Sequence, residues 1–446
     1  MFDFSIISWI FFSLLALIIF LFTKYFVIKK NTNKIRNLFL SFYGLFILGF
    51  SFHFIFRFIF HVLDPKTFQA SATPLWTIPD YIFIYTFSLL ILFIICISLS
   101  YKYALLIKVA AFQNISKKFE LFPSKNAIFF LDFLTFISMI STLLISSLLL
   151  ILPRALLTPV TYLSSIFIIP ATYVWYWYFS GEKIGGRRYL YLLPGILAYF
   201  FQPFREQILT IASCIIIPLI VINPNFKIKK LIIQGILAFV VITFLNYSYR
   251  DIVWGNQSTK QKFDVAGWVN EPFTSPWVQA VSRFHGFDSF LLTVSAVPRI
   301  FPFQNRNIPI ELITTTFLPR ILYVDKSENS SSRGIFFSES VWSIGMINEK
   351  VSARIAPSMP GDLFSAYGII MLVIGGLIWG FFIGMFEKWQ LNSSDLVKAV
   401  LITFIGTKVF SSVERDFIIV VSYLIQILIV VYFLFALLKP KQLSSI

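Results

Sequence analysis

Long apolar runs alternate with short charged or turn-forming clusters along almost the whole chain. Measured against the ~20 residues a helix needs to cross hydrocarbon, the runs predict about eleven transmembrane helices. They lie near residues 5–23, 38–63, 78–101, 126–152, 156–179, 189–202, 206–222, 231–247, 363–386, 396–411 and 417–437. The runs at 189–202 and 396–411 are short. Only Gln202-Pro203-Phe204-Arg205-Glu206 separates the first of them from the next run, so that pair reads as a re-entrant hairpin or as two thin spans. The expected fold is an all-α polytopic membrane protein with one large external loop containing short interfacial helices. Residues 1–247 form an N-terminal bundle of about eight spans, 248–362 the loop, and 363–446 a C-terminal group of about three.

Composition agrees: 57% of residues are hydrophobic and 13% charged, with a mean hydropathy of +0.80, against roughly 25% charged in soluble domains. The net charge of +16 could suggest nucleic acid, but Lys and Arg stand between apolar runs and not on one soluble face, so nucleic acid is rejected as a partner. Cys96 and Cys214 both fall within apolar runs and read as packing residues. The first run has no basic segment before it and no small-residue cleavage pattern, so it reads as a retained helix.

Positive charge sets the expected orientation. Lys24, Lys29, Lys30, Lys34 and Arg36 form one cluster, and Lys102, Lys108, Lys117, Lys118 and Lys125 another. Lys183, Arg187 and Arg188 form a third, and Lys227, Lys229 and Lys230 a fourth. These are alternate connections, so all can be cytoplasmic at once. The N-terminus and the 248–362 segment are then outside and the Lys439/Lys441 tail inside. That segment is punctuated by Pro272, Pro276, Pro298, Pro302, Pro309, Pro319, Pro357 and Pro360, which predicts short helices on the membrane surface. Its run His285–Val297 is apolar enough to dip into the interface or fold back, but too short to cross.

Arginine collects on the expected outer side: Arg154, Arg205, Arg250, Arg283, Arg299, Arg306, Arg320, Arg333, Arg354 and Arg415, with Arg57 in the outer half of the second span. Topology disfavours basic residues there. Guanidinium holds phosphate oxygens with paired hydrogen bonds, so a phosphorylated or pyrophosphorylated ligand fits. The plainer alternative is ion pairing with Asp251, Asp264, Glu271, Asp288, Glu311, Asp325, Glu339 or Asp362. His53, Arg57 and His61 are spaced to stack along one helical face, which lines a wet cavity or packs on a neighbouring helix. Ser282-Arg283-Phe284-His285-Gly286-Phe287-Asp288 gathers a cation, a group titrating near neutrality and a carboxylate. His285 or Asp288 could accept a hydroxyl proton there while Arg283 stabilises a departing anion. A surface turn with a local ion pair is the alternative. No Asp-x-Asp, His-Glu-x-x-His or Cys/His cluster occurs, so no metal or other cofactor is expected.

The stretch Phe317-Leu318-Pro319-Arg320-Ile321-Leu322-Tyr323-Val324-Asp325-Lys326, followed by Arg333-Gly334, resembles the bacterial oligosaccharide repeat-unit polymerases (O-antigen polymerase, Wzy-type). So does Gly361-Asp362-Leu363-Phe364-Ser365-Ala366-Tyr367-Gly368 with Gly375-Gly376. Tyr323-Val324 stands where that family commonly has Trp-Pro. The resemblance implies a C-type glycosyltransferase-like arrangement in a bacterial inner membrane. Donor and acceptor would be undecaprenyl-diphosphate-linked oligosaccharides, with a chain-length-regulating membrane protein as a further partner beside the lipid bilayer. His285, Arg283, Arg320 and Arg354 would be the catalytic set. Arg57, His61, Arg154, Arg205, Arg250, Arg299 and Arg415 would bind substrate; Arg306 and Arg333, next to Asn-rich or Ser-rich loop sequence, are expected to tolerate replacement far better. An O-antigen ligase and a lipid-linked oligosaccharide flippase or transporter are the competing readings.

Overall fold

A computed structural model describes residues 5–28, 34–63, 78–107, 121–148, 160, 163–201, 205–223, 286–317 and 357–438. The described residues are helical, without strands, and include six helices long and apolar enough to cross a membrane. These are Ile6–Val27, Phe42–Phe60, Asp80–Leu106, Lys125–Ile145, Ile369–Leu391 and Asp395–Glu414. Phe417–Leu438 adds a further 22-residue helix. The run at 231–247 lies outside the described residues.

Polar groups at the helix ends show which ends share a side. Ser5 caps the first helix, accepting from the Ser8 amide at 3.2 Å, and both hydroxyls donate to Asp80, with Ser8 Oγ 2.6 Å from Oδ1. The first and third spans therefore start on one side. At the opposite side Glu387 accepts from the Phe42 amide at 2.6 Å and Ser41 Oγ at 3.1 Å, Gln390 donates to the Leu40 carbonyl, and Lys388 Nζ reaches the Leu105 carbonyl at 3.0 Å. The second span thus starts where the third and the 369–391 helix end. The helix ends next to the first two Lys clusters therefore share a side; these contacts do not bear on the other two clusters. The side shared by Ser5 and Asp80 also carries the 286–317 segment, and is called the loop side below.

Close helix contact depends on missing side chains. Gly376, Gly380 and Gly384 recur on one face of the 369–391 helix, turned to the third span. A Cβ on Gly380 would lie 2.2 Å from the Ile97 carbonyl oxygen. Likewise a Cβ on Gly49 would lie 2.1 Å from the Phe410 oxygen, so the second span and the 395–414 helix meet backbone to backbone. Such small-residue faces let helices associate where lipid supplies no hydrophobic drive. Cys96 and Cys214 are buried in this packing.

Four runs differ from the hydropathy reading. In the run expected at 156–179, the helix Ile168–Phe179 has 12 residues. The run expected at 363–386 is two helices: Met359–Tyr367, buried through Ala366, and Ile369–Leu391. Gly368 separates them at φ +66°, its Cα side closed by the Phe303 ring, a break that an average over apolar residues does not register. The short run at 396–411 belongs to a 20-residue helical segment containing a π turn at Ile402–Gly406. The 189–202 run is a 3₁₀ helix, Gly185–Leu192, leading into Leu193–Phe201. At ~1.5 Å per residue those nine helical residues fall well short of a crossing.

Candidate functional site

The loop-side ends of the second span, the third span, the 395–414 helix and the last helix surround two short helices, Gly286–Ala296 and Met359–Tyr367. Every residue of Gly286–Ala296 except Ser295 is buried. Phe287 packs on Phe58 and Phe87 with ring centroids 5.4 and 5.7 Å apart, and Phe290 meets Phe54 and Phe364. Its first residue must be small, because a Cβ on Gly286 would come within 2.9 Å of the His53 Cβ. The apolar run expected to fold back is therefore seated among the spans.

The second span carries a π turn at Ser51–Phe56 immediately before Arg57. One extra residue in the turn breaks the α-helical stacking expected of His53 and Arg57, and the two reach different partners. The Arg57 guanidinium donates from Nε at 2.9 Å and Nη2 at 2.6 Å to Asp288 Oδ2, with both side chains essentially sealed from solvent. His53 Nε2 lies 3.5 Å from Glu414 Oε2. His61 lies in the continuing helix Arg57–Leu63.

A second ionic group ties the loop to the last helix. Arg306 donates from Nη2 to Glu311 at 2.8 Å and from Nη1 to Asp362 Oδ1, while Asp362 Oδ2 accepts from the Phe417 amide at 3.0 Å. Burial opposes the Arg306 charge, but Asp362 and Glu311 more than offset it and hold the guanidinium above its ordinary range. Asp362 thus caps the last helix, its charge placed at the helix N-terminus. Backbone bonds from the Gln304 and Asn305 amides to the Ser365 and Ala366 carbonyls, 3.0 and 3.2 Å, complete the junction.

These positions change several expectations. Arg306, read as tolerant because of its Asn-rich surroundings, holds two carboxylates at 9% exposure. Asp288, weighed beside His285 as a base, is occupied by Arg57 and inaccessible. Pairing with acidic residues is what the structure shows for Arg57 and Arg306. Arg299 is exposed, with Nη1 3.3 Å from the Tyr81 hydroxyl at the rim of the third span. Arg415 follows the 3₁₀ turn Ser412–Glu414 in extended backbone, and Arg205 begins the helix Arg205–Ile222. Arg154, Arg250, Arg283, His285, Arg320, Arg333 and Arg354 lie outside the described residues.

Neither a family model, a curated protein nor a solved structure matches the chain. Any reading of the site therefore rests on its own residues. One of them escaped the sequence reading: Lys408 sits within the 395–414 helix with its ammonium 4.7 Å from the Tyr423 ring centroid. A lone cation inside an apolar run was its signal.

Proposed function

We propose that the chain is a membrane glycosyltransferase that polymerises polyprenyl-diphosphate-linked oligosaccharide repeat units on the loop side of the bilayer, taken to be the outer face of a bacterial inner membrane. The observation that carries most weight is the seating of Gly286 against His53 with Asp288 locked to Arg57. It fixes Gly286 and Asp288, the C-terminal end of the Ser282–Asp288 stretch, at the second span. Rigid support is what a positioned base and an anion-stabilising cation require.

In the proposed reaction an acceptor sugar hydroxyl attacks the anomeric carbon of the donor glycan. The new glycosidic bond forms as the bond to the diphosphate breaks. His285 takes the hydroxyl proton, and the carrier diphosphate leaves with its charge held by Arg283, Arg320 and Arg354. Arg57 and Arg306 have a different part: each holds carboxylates and thereby fixes the helices Gly286–Ala296 and Met359–Tyr367 in place.

The purified chain in nanodiscs, supplied with polyprenyl-diphosphate-linked repeat units, is expected to yield a ladder of lengthened carrier-linked glycans. Transfer to a lipid A core sugar alone would identify a ligase. Movement of intact units across vesicles without any new glycosidic bond would replace the proposal with transport.

A further inference from the structure

The helix Ile308–Phe317 runs beside the last helix from Phe417 inward. Its start is fixed at the level of Phe417, because Arg306 and the Phe417 amide share the two oxygens of Asp362. Its end is fixed lower down. Thr316 Oγ1 lies 3.1 Å from Ser422 Oγ, and Gln426 Nε2 donates to the Thr315 and Thr316 carbonyls at 2.9 and 2.6 Å.

The last helix has 22 residues. At ~1.5 Å per residue it is about 33 Å long, against a hydrocarbon core of about 30 Å. It can cross only if Phe417 lies near the membrane border. Gln426, nine residues further on, is then ~13 Å inside, and the helix Ile308–Phe317 goes with it.

Backbone groups at that depth have no water to bond and must find partners within the protein. Both ends of Ile308–Phe317 have them. Asn307 Oδ1 accepts from the Ile310 amide at 3.2 Å and the Asn307 carbonyl from Glu311 at 2.9 Å, while Gln426 closes the C-terminal carbonyls. This accounts for a glutamine in a largely apolar helix.

The side-chain pattern marks the same depth. Ser422, Gln426, Ile429 and Phe433 follow one another on one face of the last helix. The face is polar where Ile308–Phe317 covers it. Below that point it becomes apolar and exposed, with Ile429 at 38% and Phe433 at 57%. On the covering helix, Ile310, Ile313 and Phe317 form an exposed stripe at 56%, 57% and 60%. Exposed apolar stripes on both helices at this depth are complementary to hydrocarbon.

We propose that Ile308–Phe317 is a re-entrant helix immersed in the loop-side leaflet, with Ile310, Ile313 and Phe317 facing the acyl chains of bilayer lipid. The residues 248–362 are then not wholly extramembrane. Phe317, where the Phe317–Lys326 motif begins, is reached from within the hydrocarbon. The inference is independent of any glycan chemistry.

Nitroxide labels on Ile310→Cys, Ile313→Cys and Phe317→Cys in nanodiscs test it by power saturation. Wild-type chain, whose Cys96 and Cys214 are buried, serves as the blank, and Phe433→Cys as the lipid-facing control. The expected result is high accessibility to oxygen and low accessibility to an aqueous nickel chelate at all three positions, with the oxygen-to-nickel ratio rising from 310 through 313 to 317. High nickel accessibility would place the helix in water and overturn the proposal. Low accessibility to both agents would show another part of the chain covering the stripe, and would overturn it equally. Because the substituted side chains are exposed, folding is secured by monodisperse elution and by the control label.

Discussion

The guanidinium of Arg57 puts both Nε and Nη2 on a single oxygen of Asp288, a residue 231 positions further along the chain, and the pair is sealed from solvent. Breaking one half of such a pair strands a charge in low dielectric, which typically costs about 3–5 kcal/mol, whereas replacing both halves by apolar groups is far milder. Arg57→Met and Asp288→Leu should each sharply lower the unfolding temperature of the detergent-solubilised protein. The double variant should recover most of the loss. Additive losses would mean that the two side chains do not depend on each other.

Arg306 should behave as a structural residue despite its place in a loop. Arg306→Ala leaves Asp362 and Glu311 facing each other without a cation, and is expected to destabilise by about 3 kcal/mol or more. Arg306→Lys restores a charge but not the fork that reaches both carboxylates, and should fall between. Protease sensitivity near residues 300–317 gives the measurement. Wild-type resistance in Arg306→Ala would show that the ionic junction is dispensable.

Gly380→Ala tests the helix contact most directly, since the added Cβ would lie 2.2 Å from a backbone oxygen, that of Ile97, which cannot swing aside. Overpacking of this kind costs about 1–3 kcal/mol. Gly181→Ala serves as contrast: it has open space around it but a φ of +94°, so any loss there reports backbone strain alone. Equal losses at the two sites would remove the argument for close packing.

What the sequence made legible follows from how local each signal is. Apolar length and Lys placement are local sums; apolar length anticipated a helical membrane protein and the six spans among the described residues, and the first two Lys clusters agree with the ends that Asp80 and Glu387 bring together. Gly368 was hidden, because one positive-φ residue scarcely changes a hydropathy average. The π turn at Ser51–Phe56 misdirected the His53–Arg57 spacing, which presumes an uninterrupted α-helix. Arg57 with Asp288 and Arg306 with Asp362 join positions remote in sequence; composition offered eight candidate acids and no means of choosing among them. Gln426 and Lys408 were legible in principle, each a polar side chain inside an apolar run that needs a partner.

Orientation has its own test. A reporter active only outside the cytoplasm should be active when fused after Gln257 or Ser331 and silent after Lys118 or Lys230. The four Lys-rich connections are expected on one side, which, with Leu193–Phe201 too short to cross, requires the 189–222 region to turn back on that side; a re-entrant 308–317 helix leaves the pattern unchanged because it enters and leaves on one side. Activity after Lys230 would reverse or break the assignment.

The proposed chemistry meets its most demanding test at Arg283, Arg320 and Arg354. If they hold the departing diphosphate, their contacts strengthen as negative charge develops, so they act on turnover more than on binding. Removing one well-placed donor typically lowers the rate by about 10²–10³. Each Arg→Ala variant should therefore insert and purify normally yet lose most glycan extension per mole of folded protein, and Lys should rescue poorly because a point charge cannot make the two-pronged contact. The same assay in excess EDTA should proceed, since these cations take the part a divalent metal would otherwise play. Near-normal extension by all three Ala variants would make the outer arginines structural, like Arg57 and Arg306, and would move the functional reading to a transporter. Loss of activity in EDTA, restored by Mg²⁺ or Mn²⁺, would instead keep the transferase and replace its source of positive charge.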